Sequence, residues 1–148
     1  MSKKIIGKFI APMVLAIVCL LSVSFSVYAA KKSQNNYTST LAFQGEYAGA
    51  TRHFSHQHIS FSATASSYLG KNKLSKKNTN YSDTYKVSLY RKTWLWFSER
   101  VGSKSLSRYS YGKSVWTNVG SGDYYFYFEK ARDGVNVISP DVVMKGYD

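Results

Sequence analysis

Apolar and polar residues alternate with a period of two along much of this chain. Residues 58–66, HISFSATAS, and residues 84–91, TYKVSLYR, both show the pattern. Such alternation is typical of β-strands with one buried face, because successive side chains of a strand point to opposite faces. The side chains that we expect in the core from these two runs are Ile59, Phe61, Ala63, Ala65, Tyr85, Val87 and Leu89.

Five consecutive aromatic residues, YYFYF, begin at Tyr124. In a strand this run forms two stripes rather than one apolar block. We expect Tyr124, Phe126 and Phe128 to face the core. Tyr125 and Tyr127 would then face outward, where the hydroxyl meets water while the ring covers the sheet.

The segment KTWLWFSE, residues 92–99, has apolar residues in both of its stripes. Trp94 and Trp96 form one stripe, and Leu95 and Phe97 form the other. This pattern predicts a strand that is buried on both faces.

Turn signals separate these runs. Residues 70–80 form a long loop rich in lysine and asparagine, and the pair Asp133-Gly134 suits a tight hairpin turn. We expect two short final strands on either side of Pro140, and a further strand near residues 40–47. Six to eight short strands joined by such turns predict an all-β protein, a single antiparallel β-sandwich.

The first residues have the composition of a secretory signal peptide. Basic residues lead into an apolar run that ends in small residues, and Val27 and Ala29 fit the two small-residue positions before a cleavage site. We therefore expect residues 1–29 to be removed, residues 30–40 to form a flexible mature N-terminus and residues 41–148 to form the sandwich. The alternative is an uncleaved membrane anchor, since the apolar run is nearly long enough to span a bilayer.

The sole cysteine, Cys19, lies inside this apolar run and follows Val18, whereas a lipid-modified cysteine would follow a small residue. The mature chain would contain no cysteine and would depend on its core alone for stability.

The chain is basic, with a formal net charge of +12. Without the three lysines of the leader, 17 basic residues face 8 acidic ones, a net charge of about +9. Outside the cytoplasm we expect the partner to be an anionic polymer, glycan or membrane surface of the cell envelope and not nucleic acid. The alternative is that the charge serves solubility alone. We expect no cofactor, no transmembrane segment in the mature chain and a monomer.

The second half of the chain resembles small exported bacterial β-sandwich domains. Leu89-Tyr90 at the end of one strand, and Gly122-Asp123-Tyr124-Tyr125 at the start of another, match the order found in pre-peptidase C-terminal domains and their jelly-roll relatives. The similarity covers residues 83–139. It implies a jelly-roll-like fold and a binding or secretion accessory without an active site of its own.

Surface aromatic and basic side chains are the candidate binding residues. Planar rings beside Lys and Arg suit stacking on sugars or a position at a lipid interface. The alternative is that the rings stabilise the sheet by cross-strand pairing, and that the lysines form a solvated loop. The candidates are Tyr90, Tyr125, Tyr127, Tyr109, Tyr111, Trp116, Lys71, Lys73, Lys76 and Lys77; we expect the stretch that holds Tyr109, Tyr111 and Trp116 to be a mobile loop.

All three histidines of the chain, His53, His56 and His58, fall within RHFSHQH. Imidazole is a common ligand for zinc and copper, and His56 and His58 would share one face of a strand. The cluster therefore predicts a metal site, although no carboxylate or cysteine nearby in the sequence completes the ligand set. The alternative is a polar strand face whose imidazoles form hydrogen bonds with neighbouring serines.

Three functional hypotheses follow, of which the last is a purely structural or inhibitory protein that pairs with a partner through an exposed sheet edge. The first is a secreted non-enzymatic protein that contacts an anionic, glycan-bearing or membrane surface of the bacterial envelope, with a bacteriocin as a specialised form. The second is an exported metal-binding or hydrolytic enzyme that uses His53, His56 and His58.

Overall fold

The computed structural model describes residues 35–148, which form eleven β-strands and one turn of 3-10 helix at Lys76–Asn78. The predicted signal peptide, residues 1–29, lies outside the described residues. The strands are β1 (Asn36–Phe43), β2 (Glu46–Ala48), β3 (Arg52–Phe54), β4 (His58–Thr64), β5 (Ser66–Leu69), β6 (Asn72–Leu74), β7 (Thr84–Trp94), β8 (Phe97–Ser107), β9 (Tyr111–Trp116), β10 (Gly122–Glu129) and β11 (Asn136–Tyr147).

The strands form two antiparallel sheets. In the first sheet, β5 and β4 pair with successive stretches of one edge of β11, and β1 pairs with the other edge. β6 pairs with β5, and β9 pairs with β4. The second sheet has the order β2-β10-β7-β8, and β3 pairs with the same edge of β10 as β2. The predicted all-β, two-sheet antiparallel architecture is confirmed.

Alternate side chains from both sheets fill the core. Phe61 of the first sheet contacts Phe126 and Phe128 of the second, with ring centroids 5.3 and 5.4 Å apart. Every residue that the alternation placed inside on β4, β7 and β10 is buried. The period-two reading of these three strands is confirmed, including the two stripes of the aromatic run.

The two ends of the domain differ from the prediction. β1 begins at Asn36, so residues 36–39 are paired with β11 instead of forming part of a flexible N-terminus. The two predicted final strands are one strand, β11, that continues through Pro140. Pro140 is tolerated because it falls where the register with β1 shifts and between the stretches of β11 that pair with β5 and with β4.

The segment 92–99 is not a buried strand, which corrects the prediction. It is the end of the β7–β8 hairpin, and its turn is formed by Leu95 and Trp96. Pairing of β7 with β10 stops at Arg91, so among residues 35–148 no third strand covers the end of the hairpin. Trp94, Leu95, Trp96 and Phe97 are 71, 76, 89 and 66% exposed. We call residues 94–97 the hairpin tip.

A buried ion cluster closes the opposite end of the sandwich. Arg108, in the turn between β8 and β9, is fully buried, and its guanidinium lies 2.7 Å from Asp133. The ammonium of Lys130 lies 2.7 Å from the other oxygen of Asp133. Arg108 also donates through Nε to the carbonyl of Thr84. Burial alone would raise the pKa of Asp133, but hydrogen bonds from Lys130 and Arg108 outweigh it and lower the pKa to about 2.

Acid should weaken the fold through Asp133. Because its pKa is lower in the folded chain than in the unfolded one, the carboxylate stabilises the fold above about pH 4, and that contribution falls away as the pH drops towards 2. The contribution should be about 2 kcal/mol. Denaturant unfolding between pH 7 and pH 2, followed by circular dichroism, measures it.

Asp133→Asn is the matched variant, because other carboxylates also titrate in this range. We expect it to be less stable than wild type at pH 7, since Arg108 loses its buried charge partner. The difference in unfolding free energy should shrink as the pH approaches 2. A difference that stays constant across that range would contradict the assignment.

Candidate functional site

Three of the predicted site residues, Tyr90, Tyr125 and Tyr127, lie together on the outward face of the second sheet. Tyr90 is paired with Tyr125 across β7 and β10, and their rings stack with centroids 5.3 Å apart and planes at 10°. The ring of Tyr127 meets Tyr90 edge-on at 6.1 Å. The sequence placed these residues outward, and all three are half-buried there.

The contacts of this tyrosine face are largely internal. The Tyr127 hydroxyl donates to Glu46 at 2.7 Å, and Glu46 also accepts from Arg132 at 3.3 Å. The hydrogen bond from Tyr127 lowers the pKa of Glu46 and raises the pKa of Tyr127 itself. Ser88, opposite Tyr127 on the same face, is fully buried. The rings therefore pack on the sheet and against one another. This is the cross-strand pairing given above as the alternative to a binding role.

The basic loop and Tyr109 meet at a different place, around a cavity of about 370 Å³ at the edge of the first sheet. We call it the basic cavity. Lys73 and Leu74 come from β6, Lys76 from the 3-10 helix and Tyr109 from the turn between β8 and β9. The full lining is Ser66, Lys73, Leu74, Ser75, Lys76 and Tyr109.

Local hydrogen bonds shape the lysine segment around this cavity. The hydroxyl of Ser75 accepts from the backbone N–H of Lys77 and caps the 3-10 helix. The hydroxyls of Thr79 and Tyr109 are 3.1 Å apart, which joins the segment to the β8–β9 turn. The predicted loop therefore contains ordered structure. Sequence reasoning found the lysines but missed Ser66 and Ser75, since no sequence signal relates them to Tyr109.

Charge at the basic cavity is mainly positive. Lys73 and Lys76 are both exposed, and Lys76 lies 3.5 Å from Asp83. Lys71 and Lys77 are exposed on the same segment but do not line the cavity. The arrangement offers ammonium groups, hydroxyls and one aromatic ring to a ligand, a set of groups that suits an anionic or hydroxyl-rich ligand.

The remaining two aromatic candidates, Tyr111 and Trp116, lie on β9. The prediction that they belong to a mobile loop is therefore wrong. Tyr111 is 62% exposed and faces outward on the first sheet, opposite Thr64. Trp116 is only 4% exposed, and its ring contacts Phe126 edge-on at 5.7 Å. Trp116 is therefore a core residue and not a surface ring, because its position on β9 points it between the sheets.

The structure does not bring the three histidines to one point. His53 of β3 is exposed and lies 2.8 Å from Asp123, 70 positions along the chain. His56 is buried and lies 3.3 Å from Asp148. The ring of His58 packs against Tyr147. Among residues 35–148, no group of three or more His, Cys, Asp or Glu side chains is placed to hold a metal ion.

Comparisons with known proteins add a low-level structural likeness. No protein family matches the chain, and no curated protein sequence matches it. The CBM36-1 domain of a multidomain xylanase from the hindgut metagenome of Trinervitermes trinervoides is similar in structure, with a TM-score of 0.44 and 14% identity. The match covers 78% of this chain and 98% of that domain. At that TM-score the likeness carries no argument about function.

In the part of the chain that the structure describes, no helix has the length and apolar character needed to cross a bilayer.

Because Trp116 is buried and Tyr111 is exposed, replacing each of them should change the free energy of unfolding by different amounts. Trp116→Ala should lower the free energy of unfolding by roughly 3–5 kcal/mol, since it opens a cavity in the core. Tyr111→Ala removes an exposed ring of the same strand and should change it by less than about 0.5 kcal/mol. Urea unfolding of both variants measures the difference. Similar values for the two would contradict the placement of Trp116.

Proposed function

We propose that this chain is an exported, non-enzymatic protein that binds an anionic glycan or polymer of the bacterial envelope at its basic cavity. The observation that carries the proposal is the convergence of Lys73, Lys76 and Tyr109 on one cavity. The two lysines come from one segment of the chain and Tyr109 from another, so their convergence is a product of the fold.

The size and chemistry of the basic cavity suit a small anionic unit. A volume of about 370 Å³ falls in the range of small-molecule sites, about 300–1,000 Å³. Lysine ammonium groups bind phosphate and sulfate as point charges, and serine hydroxyls can donate to the same oxygens. The ring of Tyr109 offers an apolar wall that a sugar or polyol carbon chain can contact.

Export supports an envelope partner. The leader-like residues 1–29 and the absence of cysteine beyond Cys19 fit a protein that works outside the cytoplasm. A net charge of about +9 after leader removal would draw the protein to anionic polymers before any specific contact forms.

The contacts of the histidines favour a binding protein over the enzyme alternative. His53 and His56 are engaged with different carboxylates, Asp123 and Asp148, instead of sharing one centre. The metal site at His53, His56 and His58 stays a prediction, and elemental analysis of untagged protein tests it.

The strand order also supports the jelly-roll reading. With β2 and β3 counted as one strand, β4 and β5 as another, and the short strand β6, which pairs with β5, set aside, the sheets read β1-β11-β4-β9 and β3-β10-β7-β8. Successive strands then alternate between the sheets except at the β7–β8 hairpin. Eight strands in two sheets, connected in this way, describe a jelly roll.

Replacing the two cavity lysines should weaken polymer binding. We expect Lys73→Gln/Lys76→Gln to raise the Kd for soluble poly(glycerol phosphate) teichoic acid by roughly tenfold, about 1.4 kcal/mol. The salt dependence of binding should also become less steep, because fewer charge contacts are screened. Calorimetric titration at two ionic strengths measures both quantities.

Lys113→Gln/Lys145→Gln is the matched control, since it removes the same charge from the exposed face of the first sheet. This variant should bind teichoic acid nearly as well as wild type. Equal losses from the two double variants would mean that net charge alone attracts the polymer, and would overturn the assignment of the cavity.

A further inference from the structure

The hairpin tip is a contiguous apolar surface that the fold leaves in solvent. Its four residues, Trp94, Leu95, Trp96 and Phe97, are each at least 66% exposed. Single exposed apolar residues are common, but a contiguous exposed patch marks a contact with a partner or a membrane.

Neither packing nor turn chemistry accounts for these residues. Pairing of β7 with β10 ends at Arg91, whereas β7 and β8 stay paired with each other as far as Trp94 and Phe97. Leu95 and Trp96 hold the turn positions, where Asn, Asp and Gly are the usual residues. A polar turn would serve the fold equally well, so the apolar residues point to a role outside the fold.

Basic side chains surround the base of the tip. Arg91, Lys92 and Arg100 lie within three positions of it on either strand, and Glu99 is the acidic residue among them. Arg91 is held in place, since its guanidinium donates to the carbonyl of Ser121 at 2.8 Å. Lys92 and Arg100 are exposed. We call these three residues the cationic collar.

We propose that the hairpin tip inserts into the interface of an anionic lipid bilayer, with the cationic collar against the lipid headgroups. Tryptophan favours the interface between water and hydrocarbon, and leucine and phenylalanine gain free energy when they leave water. Basic residues near an anionic membrane are attracted to its negative surface potential. The pairing of an apolar end with a basic ring is the arrangement that such a surface requires.

The charges argue against a second copy of the chain as the occupant. Two tips that met would bring two cationic collars together, and each copy carries a net charge of about +9 after leader removal. An anionic bilayer supplies the opposite charge instead. The proposal is independent of the basic cavity, which lies at the other end of β7, where Asp83 and Thr84 lead into the strand.

Vesicle binding tests the proposal directly. The probes are vesicles of phosphatidylcholine alone and of phosphatidylcholine with phosphatidylglycerol, with no glycan or polymer present. We expect wild-type protein to bind the anionic vesicles more tightly, with tryptophan emission shifted to shorter wavelength and acrylamide quenching reduced. Trp116 is buried already, so the change reports on Trp94 and Trp96.

Trp94→Ser/Trp96→Ser should weaken partitioning to anionic vesicles by at least about tenfold. The matched control is Tyr111→Ser/Ile138→Ser, which removes two exposed apolar side chains elsewhere and should bind as wild type does. Every variant carries the same N-terminus, so any contribution of the leader cancels. Circular dichroism should show an unchanged fold for the tip variant, because its two side chains lie outside the core.

Lys92→Gln/Arg100→Gln tests the collar, and should reduce the preference for anionic over neutral vesicles. Lys73→Gln/Lys76→Gln should leave vesicle binding unchanged, so failure of the basic cavity and failure of the tip are distinguishable. Absence of vesicle binding by wild type, or equal binding by the tip variant, would overturn the proposal. So would a dimer in sedimentation that the tip variant alone loses, since the occupant would then be a second copy.

Discussion

One buried guanidinium joins the segments that meet at one end of the sandwich. Arg108 lies in the turn that carries the chain from β8 in the second sheet to β9 in the first. Its backbone N–H donates to Asp83, its side chain donates to Thr84 and Asp133, and its carbonyl accepts from Ser67. A buried charge that lost these partners would cost several kcal/mol, so the four segments are fixed relative to one another.

The basic cavity depends on this arrangement. Tyr109 follows Arg108 directly, and Ser66 precedes Ser67, so two of the lining residues are neighbours of anchored ones. The lysine segment itself has few buried side chains and is joined to the turn through Thr79 and Tyr109. The part of the chain that the structure describes contains no cysteine, and two residues of the surface site are positioned by their neighbours in the buried ion cluster.

Period-two alternation was sufficient to predict the fold class and the inward side chains of three strands. It failed at residues 92–99, because a strand apolar on both faces and a hairpin end that projects into solvent have the same pattern. What separates them is where the neighbouring strand stops, here at Arg91, and that is a property of long-range pairing. The prediction for Trp116 fails for a related reason. The serine-rich residues before Trp116 favour a loop, but the segment pairs with β4 in the first sheet.

The candidate site was less predictable than the fold. The lysines were found from composition, but Lys73 and Tyr109 are distant in sequence and meet only because the turn after β8 returns to the edge of the first sheet. The carboxylates that engage His53 and His56 are Asp123 and Asp148, which also lie far along the chain. Spacing within a short motif says nothing about such partners.

β7 extends from Thr84 to Trp94, and a strand of that length reaches over about 30 Å. With the hairpin tip in a bilayer and a polymer at the basic cavity, β7 would extend from the lipid surface towards the bound polymer. The length of β7 would then hold the polyanion about 3 nm from the lipid headgroups. Charge attraction alone would not fix that distance.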